Sequence, residues 1–312
     1  MRLLITGATG FIGRNLVRQA LAAGHQVTAL VRRLDPDLPC ETLQCDLLEN
    51  VPRLPAHGFD AAIHLAAALS GSPDYQRRLT VDGTRNLLAA LTTAGVWRLV
   101  GISSLAVIDF PRLAAGAVVD ERAPRLRAAP GIAPYALTKA AQEDLFCEFG
   151  AQPGQCATVL RPGLVYDARV LSDAYSGFRF GPLHVRARHD GQIPVTQCDA
   201  LVRCMLSAAD ISTAGCRVYH ILDEPLPDLI AYVQELRRRG NTTGNFALNW
   251  RWFRAAAVIG QLAARALPVP EVFTAQGFAT RLKPLRYSTE LARRELHWAP
   301  AAFDTQRQGH VA

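Results

Sequence analysis

The chain has 312 residues, 49% hydrophobic and 20% charged, with a net charge of +7. That length can bury a full core without staples, and the balance excludes intrinsic disorder, a collagen and a small disulfide scaffold. The positive charge does not point to nucleic acid: of 34 basic residues only Lys139 and Lys283 are lysines, and the arginines are scattered.

In chain order, residues 2–6 read as a buried strand, 11–23 as a helix and 26–32 as a second strand. The apolar run after Arg2 is too short for a secretory leader, so a cytoplasmic protein is expected. Strands follow at 42–45, 61–65, 98–103 and 157–161, with helical patterns at 75–94 and 135–149 between them. Aliphatic strands that alternate with helices predict parallel βαβ units with both sheet faces covered. From about residue 164 the alternation fades. Residues 167–191 read as loop, 199–209 as a helix, 218–222 as a strand, and 229–239, 250–267 and 288–296 as helices. Arg237-Arg238-Arg239 before Gly240 reads as a solvated helix end. The closest approach to a membrane span, 255–269, is interrupted by Gln261 and Arg265. Seven cysteines form no CxxC pair and no His cluster has metal spacing, so reduced, mostly buried thiols and no metal site are expected.

The segment Thr6-Gly7-Ala8-Thr9-Gly10-Phe11-Ile12-Gly13 joins the first strand to the first helix. There Gly7 permits a tight turn, Gly10 lets backbone approach a pyrophosphate, and Gly13 allows close helix packing. A phosphate would sit on the helix N-terminus, where unpaired N–H groups and the dipole favour an anion. A Rossmann-type doubly wound α/β fold is therefore expected, with 1–163 and 195–222 as the nucleotide-binding core. Residues 164–194 and 223–312 would form a smaller α+β substrate cap. At the end of the second strand, Val31 stands where an NAD enzyme places an acid, and Arg32 follows. A guanidinium pairs with a 2′-phosphate, which favours NADP over NAD.

The TGxxGxxG spacing resembles the extended branch of the short-chain dehydrogenase/reductases, the NAD(P)-dependent epimerase/dehydratase family. The likeness runs to Leu296-His297-Trp298-Ala299-Pro300. Within that branch, residues 255–270 and 286–296 resemble dihydroflavonol reductase-like and 3β-hydroxysteroid dehydrogenase-like members. The resemblance implies adenine contacts at Asp46 and Leu47, and close backbone approach to the cofactor at Leu65, Ala66 and Ala67. It further implies a catalytic Ser104, nicotinamide contacts from Pro162 to Val165, and a homodimer through helices 75–94 and 135–149.

Tyr135 and Lys139 stand four residues apart, one turn along a helix face. Carbonyl reduction needs a proton donor for the alkoxide that forms as hydride arrives, and the reverse reaction needs a base. Tyr135 is the expected general acid/base, with Lys139 holding the nicotinamide ribose and lowering the phenol's pKa. The use of lysine in an arginine-rich chain supports the assignment. Ser104 is expected to hydrogen-bond the substrate oxygen, and Ser103 to satisfy local backbone.

Relatives that act on nucleoside-diphosphate sugars usually carry an Arg where Gln192 stands, Asn at Leu164, Gly at Asp167 and Asn at Thr80. Without bidentate phosphate recognition at position 192 a diphosphate substrate is disfavoured, unless Arg169, Arg179, Arg186 or Arg188 compensates. Trp250, Trp252 and Phe253 are candidates for an apolar pocket or for cap core. The expected activity is hydride transfer between NADP(H) and a secondary carbonyl or alcohol of a small apolar substrate. A nucleotide-sugar epimerase or dehydratase and a non-catalytic NADP-sensing regulator are the alternatives.

Overall fold

The computed structural model describes residues 1–128, 132–180, 183–240, 246–252 and 275–303. Its strands in chain order begin β1 (Arg2–Thr6), β2 (Gln26–Val31), β3 (Glu41–Gln44), β4 (Ala61–His64), β5 (Arg98–Ile102), β6 (Val118–Val119) and β7 (Cys156–Pro162). They continue with β8 (Leu164–Tyr166), β9 (Gly177–Phe180), β10 (Leu183–Arg188), β11 (Val195–Gln197), β12 (Gly215–Ile221), β13 (Phe246–Asn249) and β14 (Arg286–Tyr287). Seven of them form one parallel sheet in the order β12-β7-β5-β4-β1-β2-β3.

The helices are α1 (Phe11–Ala22), α2 (Pro73–Arg77), α3 (Gly83–Ala94), α4 (Pro134–Gly150), α5 (Cys198–Ala209) and α6 (Leu229–Arg238), then α7 (Ala275–Leu282) and α8 (Glu290–Glu295). The two-residue period of β1 divides the core. Leu3 and Ile5 pack with Leu16, Val17 and Ala20 of α1 and with Leu201 and Met205 of α5. Leu4 faces the other way, against Leu87 and Leu91 of α3 and Phe146 and Phe149 of α4. Each such side chain contributes about 1.5–3 kcal/mol on burial, so the sheet is held from both faces. Trp298 closes the core near the C-terminus, its indole N–H donating to Leu222 O at 3.0 Å.

Small sheets follow where the alternation fades. β8 pairs with β11, β6 with β14, and β10 with both β9 and β13. The antiparallel β9–β10 pair replaces the loop expected at 167–191, since glycine and arginine content masked the period-two alternation of that stretch. The helix expected at 75–94 is divided by a π-helical turn, Arg78–Asp82. There the Thr84 hydroxyl takes Thr80 O at 2.5 Å, competing with the backbone ladder. Of the helix expected at 250–267, residues 250–252 are helical and 253–267 lie outside the described residues.

Two further expectations are corrected. Cys147 on α4 and Cys216 on β12 form a disulfide with Cα atoms 4.9 Å apart. The packing of α4 on β12 joins residues 69 positions apart, which no local spacing reveals. The arginines ending α6 are also not simply solvated. Arg238 and Arg239 pair with the buried Glu235 carboxylate at 2.6 and 2.7 Å, and Arg239 donates to Asp167 O. Among the described residues no helix is long and apolar enough to cross a membrane, and no group of three or more acidic, His or Cys side chains could hold a metal.

Candidate active site

Between β1 and β4 the strand order reverses direction, and a cleft of about 720 Å³ opens at their carboxyl ends. This is where open parallel sheets bind ligands. The glycine-turn residues, Arg32, Asp46, Leu47, Leu65 to Ala67, Ser104, Tyr135, Lys139, Pro162 and Val165, all singled out from the sequence, line this one cleft.

Its floor is the glycine turn. Gly7 has φ +71°, and a Cβ there would lie 3.0 Å from Ala66 N. A Cβ at Gly13 would lie 2.1 Å from Gly7 O, so α1 can seat on the turn only without a side chain. No side chain caps α1 and its first turn holds no acid, which leaves its leading N–H groups to an anion. Phe11 and Ile12 flank them in the cleft wall. The cradle thus has the shape and the donors that a dinucleotide pyrophosphate needs.

Arg32, Asp46 and Leu47 line one end. Arg32 donates to the Tyr75 hydroxyl at 3.3 Å, while the Asp46 carboxylate accepts from Leu48 N at 3.0 Å. A hollow of about 300 Å³ beside them is bounded by Thr9 and residues 31–36. Asp35 in its wall is neutralised by Arg14 at 2.5 Å. Along the end of β4, Leu65, Ala66 and Ala67 present a narrow ridge, with Ala66 N donating to Thr6 Oγ1 at 3.2 Å and Ala68 N to Thr80 Oγ1 at 3.0 Å.

At the other end the chain leaving β5 meets α4. The Ser104 hydroxyl accepts from Ala106 N at 3.1 Å and lines the cleft together with the Tyr135 phenol. Burial raises the Tyr135 pKa, and the Ser104 contact offsets part of that rise. This reverses the expected depression, because the Lys139 ammonium is directed elsewhere. It donates to Ile102 O and, at 2.5 Å, to Gln142 Oε1. Desolvation pulls Lys139 down to about 7, opposed by Glu143.

Beneath the pair runs a polar chain that the sequence reading missed, although Gln142 lies on the Lys139 face of α4. The Gln142 amide nitrogen donates to Ala66 O at 3.1 Å and Thr84 Oγ1 at 2.8 Å, and lies 3.2 Å from His64 Nε2. The far ring nitrogen of His64 meets Thr6 Oγ1 at 2.6 Å. Burial and the Lys139 charge lower His64 to about 3, so the ring stays neutral. One amide therefore connects the lysine to the backbone of the Leu65–Ala67 ridge.

Ser103 donates to Glu143 Oε2 at 2.5 Å rather than to local backbone. Arg161 of β7 meets the same carboxylate at 2.7 and 2.9 Å, and both side chains are buried. Burial alone would raise the Glu143 pKa; Arg161, Arg125 and Ser103 together lower it. The ion pair fastens α4 to β7 next to Ser104.

Pro162, Leu164 and Val165 border the remaining space, joined by Phe110, Tyr175, Thr280 and Arg281. These four were not foreseen, because they reach the cleft from segments outside its motifs. Gln192 is absent from the lining and accepts from Tyr287 N at 3.0 Å. Arg169, Arg186 and Arg188 do not line it either, and the Arg179 side chain lies outside the described residues. Trp252 is exposed and Trp250 stacks on Phe278 at 6.4 Å, so neither serves the cleft; Phe253 lies outside the described residues.

A parallel sheet with a glycine cradle at its switch point and a Ser–Tyr–Lys set in the same cleft defines a dinucleotide-dependent oxidoreductase. Residues 3–201 match the family model described as the NAD dependent epimerase/dehydratase family, and the chain belongs to it. It is an NAD(P)-dependent oxidoreductase of the extended short-chain dehydrogenase/reductase type, acting on a small molecule. It is 30% identical to the 2-alkyl-3-oxoalkanoate reductase of Stenotrophomonas maltophilia, across 96% of this chain and 95% of that protein. It is 31% identical to the 4-hydroxy-2-methyl-3-oxo-4-farnesyl-3,4-dihydroquinoline-1-oxide ketoreductase of Stigmatella aurantiaca, across 99% and 94%. Its fold resembles that of a short-chain dehydrogenase/reductase superfamily protein from Agrobacterium tumefaciens with bound NAD, at TM-score 0.71 and 21% identity over 98% of this chain and 94% of that one.

Proposed function

We propose that the protein is an NADP(H)-dependent ketoreductase that converts the ketone of a largely apolar substrate to a secondary alcohol. The observation that carries this reading is the convergence of Ser104, Tyr135 and Lys139 in the cleft that begins at the glycine cradle. The bound nicotinamide would supply a hydride to the carbonyl carbon. Ser104 and Tyr135 hold the carbonyl oxygen, and Tyr135 passes its proton to the developing alkoxide and regains one from solvent. A phenol held protonated by burial suits the reductive direction. Lys139, released from its internal partners, binds the nicotinamide ribose, and Pro162 to Val165 meet the carboxamide.

Arg32 supports NADP over NAD, since it follows β2 directly and borders, with Arg33, a hollow open to a 2′-phosphate. The two relatives compared above carry reductase names, and Gln192 is committed to Tyr287 N, so the epimerase alternative has less support. Residues 1–163 and 195–222 would hold the cofactor, with 164–194 and 223–312 closing over the substrate. We assign a cytoplasmic homodimer paired through α2, α3 and α4.

The test follows loss of the reduced-nicotinamide absorbance with a panel of apolar ketones and nucleotide sugars. Tyr135→Phe should abolish ketone-dependent NADPH oxidation while leaving NADPH binding. Retained turnover, or sugar epimerisation without net cofactor oxidation, would refute the reading; a biological activity that survives Tyr135→Phe would favour a regulator.

A further inference from the structure

The proposed reduction leaves Arg281 of α7 unused. Arg281 is half-buried and lines the cleft, and its charge reaches Tyr175, whose phenol also feels Tyr135. It therefore lies at the catalytic end. Its guanidinium has no hydrogen bond and no ion pair among the described residues. Lys283, two residues on, by contrast donates to three backbone carbonyls. A half-buried five-donor fork without an acceptor is open to a ligand, and a carboxylate fits it bidentately.

The surroundings limit the ligand. Asp46 and Arg32 belong to the opposite end of the cleft, and Lys139 is the only other charged side chain near Tyr135 in the lining. Leu105, Ala106, Phe110, Leu164 and Ala174 give the wall a mainly apolar, uncharged character, with Thr280 and the Tyr175 phenol as its neutral polar groups. The cofactor pyrophosphate has its own seat on α1. One added cation in an apolar wall matches a single negative charge on an alkyl chain rather than a diphosphate.

We propose that Arg281 binds a carboxylate carried by the substrate, so the protein reduces oxoacids whose ketone lies at Ser104 and Tyr135. This rests on the ketoreductase reading above and names its substrate class.

The experiment compares 3-oxodecanoate with its methyl ester, using the full chain with NADPH, in wild type, Arg281→Leu and Arg281→Lys. Decanoate binding to the NADP complex is measured by calorimetry alongside. Wild type should favour the acid. Arg281→Leu should lower kcat/KM for the acid roughly 10- to 100-fold, mostly through KM, with a much smaller loss on the ester. Arg281→Lys should restore part of it, and decanoate binding should follow the same order. Equal use of acid and ester by wild type, or equal loss on both in Arg281→Leu, would overturn the proposal. UDP-glucose binding that depends on Arg281 and exceeds that of decanoate would also overturn it, in favour of a diphosphate. If neither ketone is reduced, the ketoreductase reading fails, and Arg281-dependent decanoate binding alone then decides whether the carboxylate site stands.

Discussion

Gln142→Leu removes one of the two acceptors that hold the Lys139 ammonium, at nearly constant side-chain volume. A hydrogen bond to a charged group contributes about 1.5–3 kcal/mol, and one pKa unit corresponds to about 1.4 kcal/mol. Loss of the acceptor destabilises the charged form, so the Lys139 midpoint should fall from about 7 by about one to two units. Gln142→Glu places a carboxylate there instead and should raise it. The chain contains only two lysines, so protein labelled with ¹³C at lysine Cε gives two side-chain signals to titrate by NMR. Lys283→Arg assigns them. The measurement needs neither substrate nor cofactor. An unmoved Lys139 midpoint in Gln142→Leu would refute the view that this amide holds the ammonium; a general packing defect would not shift the leucine and glutamate variants in opposite directions.

Glu143→Gln leaves the buried Arg161 guanidinium without its countercharge and should cost about 3–5 kcal/mol in urea unfolding; a loss below about 1 kcal/mol would contradict the bracing role of the pair. Arg32→Ala should weaken NADPH binding at least about tenfold in fluorescence titration and NADH binding far less, whereas equal losses would remove the argument for a 2′-phosphate contact. His64 and His220 are both lowered to about 3 from 6.5, so the unfolded chain takes up their protons first as pH falls. Their stabilisation is complete above about 6.5 and is lost toward about 3, at about 1.4 kcal/mol per pH unit for each ring. Urea unfolding of His220→Gln between pH 6 and 5 should show a shallower loss than wild type, and an unchanged slope would contradict the assigned neutral ring.

The parts legible in the sequence are those whose chemistry is local. Thr6 to Gly13 spans one strand–turn–helix, and Tyr135 with Lys139 spans one helical turn, so spacing alone assigns their geometry. The central strands were readable because Leu3-Leu4-Ile5 and its counterparts in β4, β5 and β7 are buried on both faces. The β9–β10 pair was not, because arginine and glycine dilute its alternation. Long-range pairings such as Cys147 with Cys216, or Arg281 with the Tyr135 end of the cleft, leave no local pattern. The phenol's upward shift was misjudged for a different reason. Spacing shows that an ammonium stands near Tyr135, but not that Ile102 O and Gln142 Oε1 draw it away. Gln142 itself, three residues after Lys139, was within reach of the same helical argument.

The central claim is hydride delivery to a ketone held at Ser104 and Tyr135, and isotope transfer tests it most directly. NADPH bearing deuterium at the transferable C4 position would be incubated with the protein and 3-oxodecanoate, and the alcohol examined by mass spectrometry. One deuterium on the carbinol carbon per NADPH oxidised, absent with Tyr135→Phe, is the expected result. Alcohol formed without deuterium, or the same incorporation with Tyr135→Phe, would contradict it.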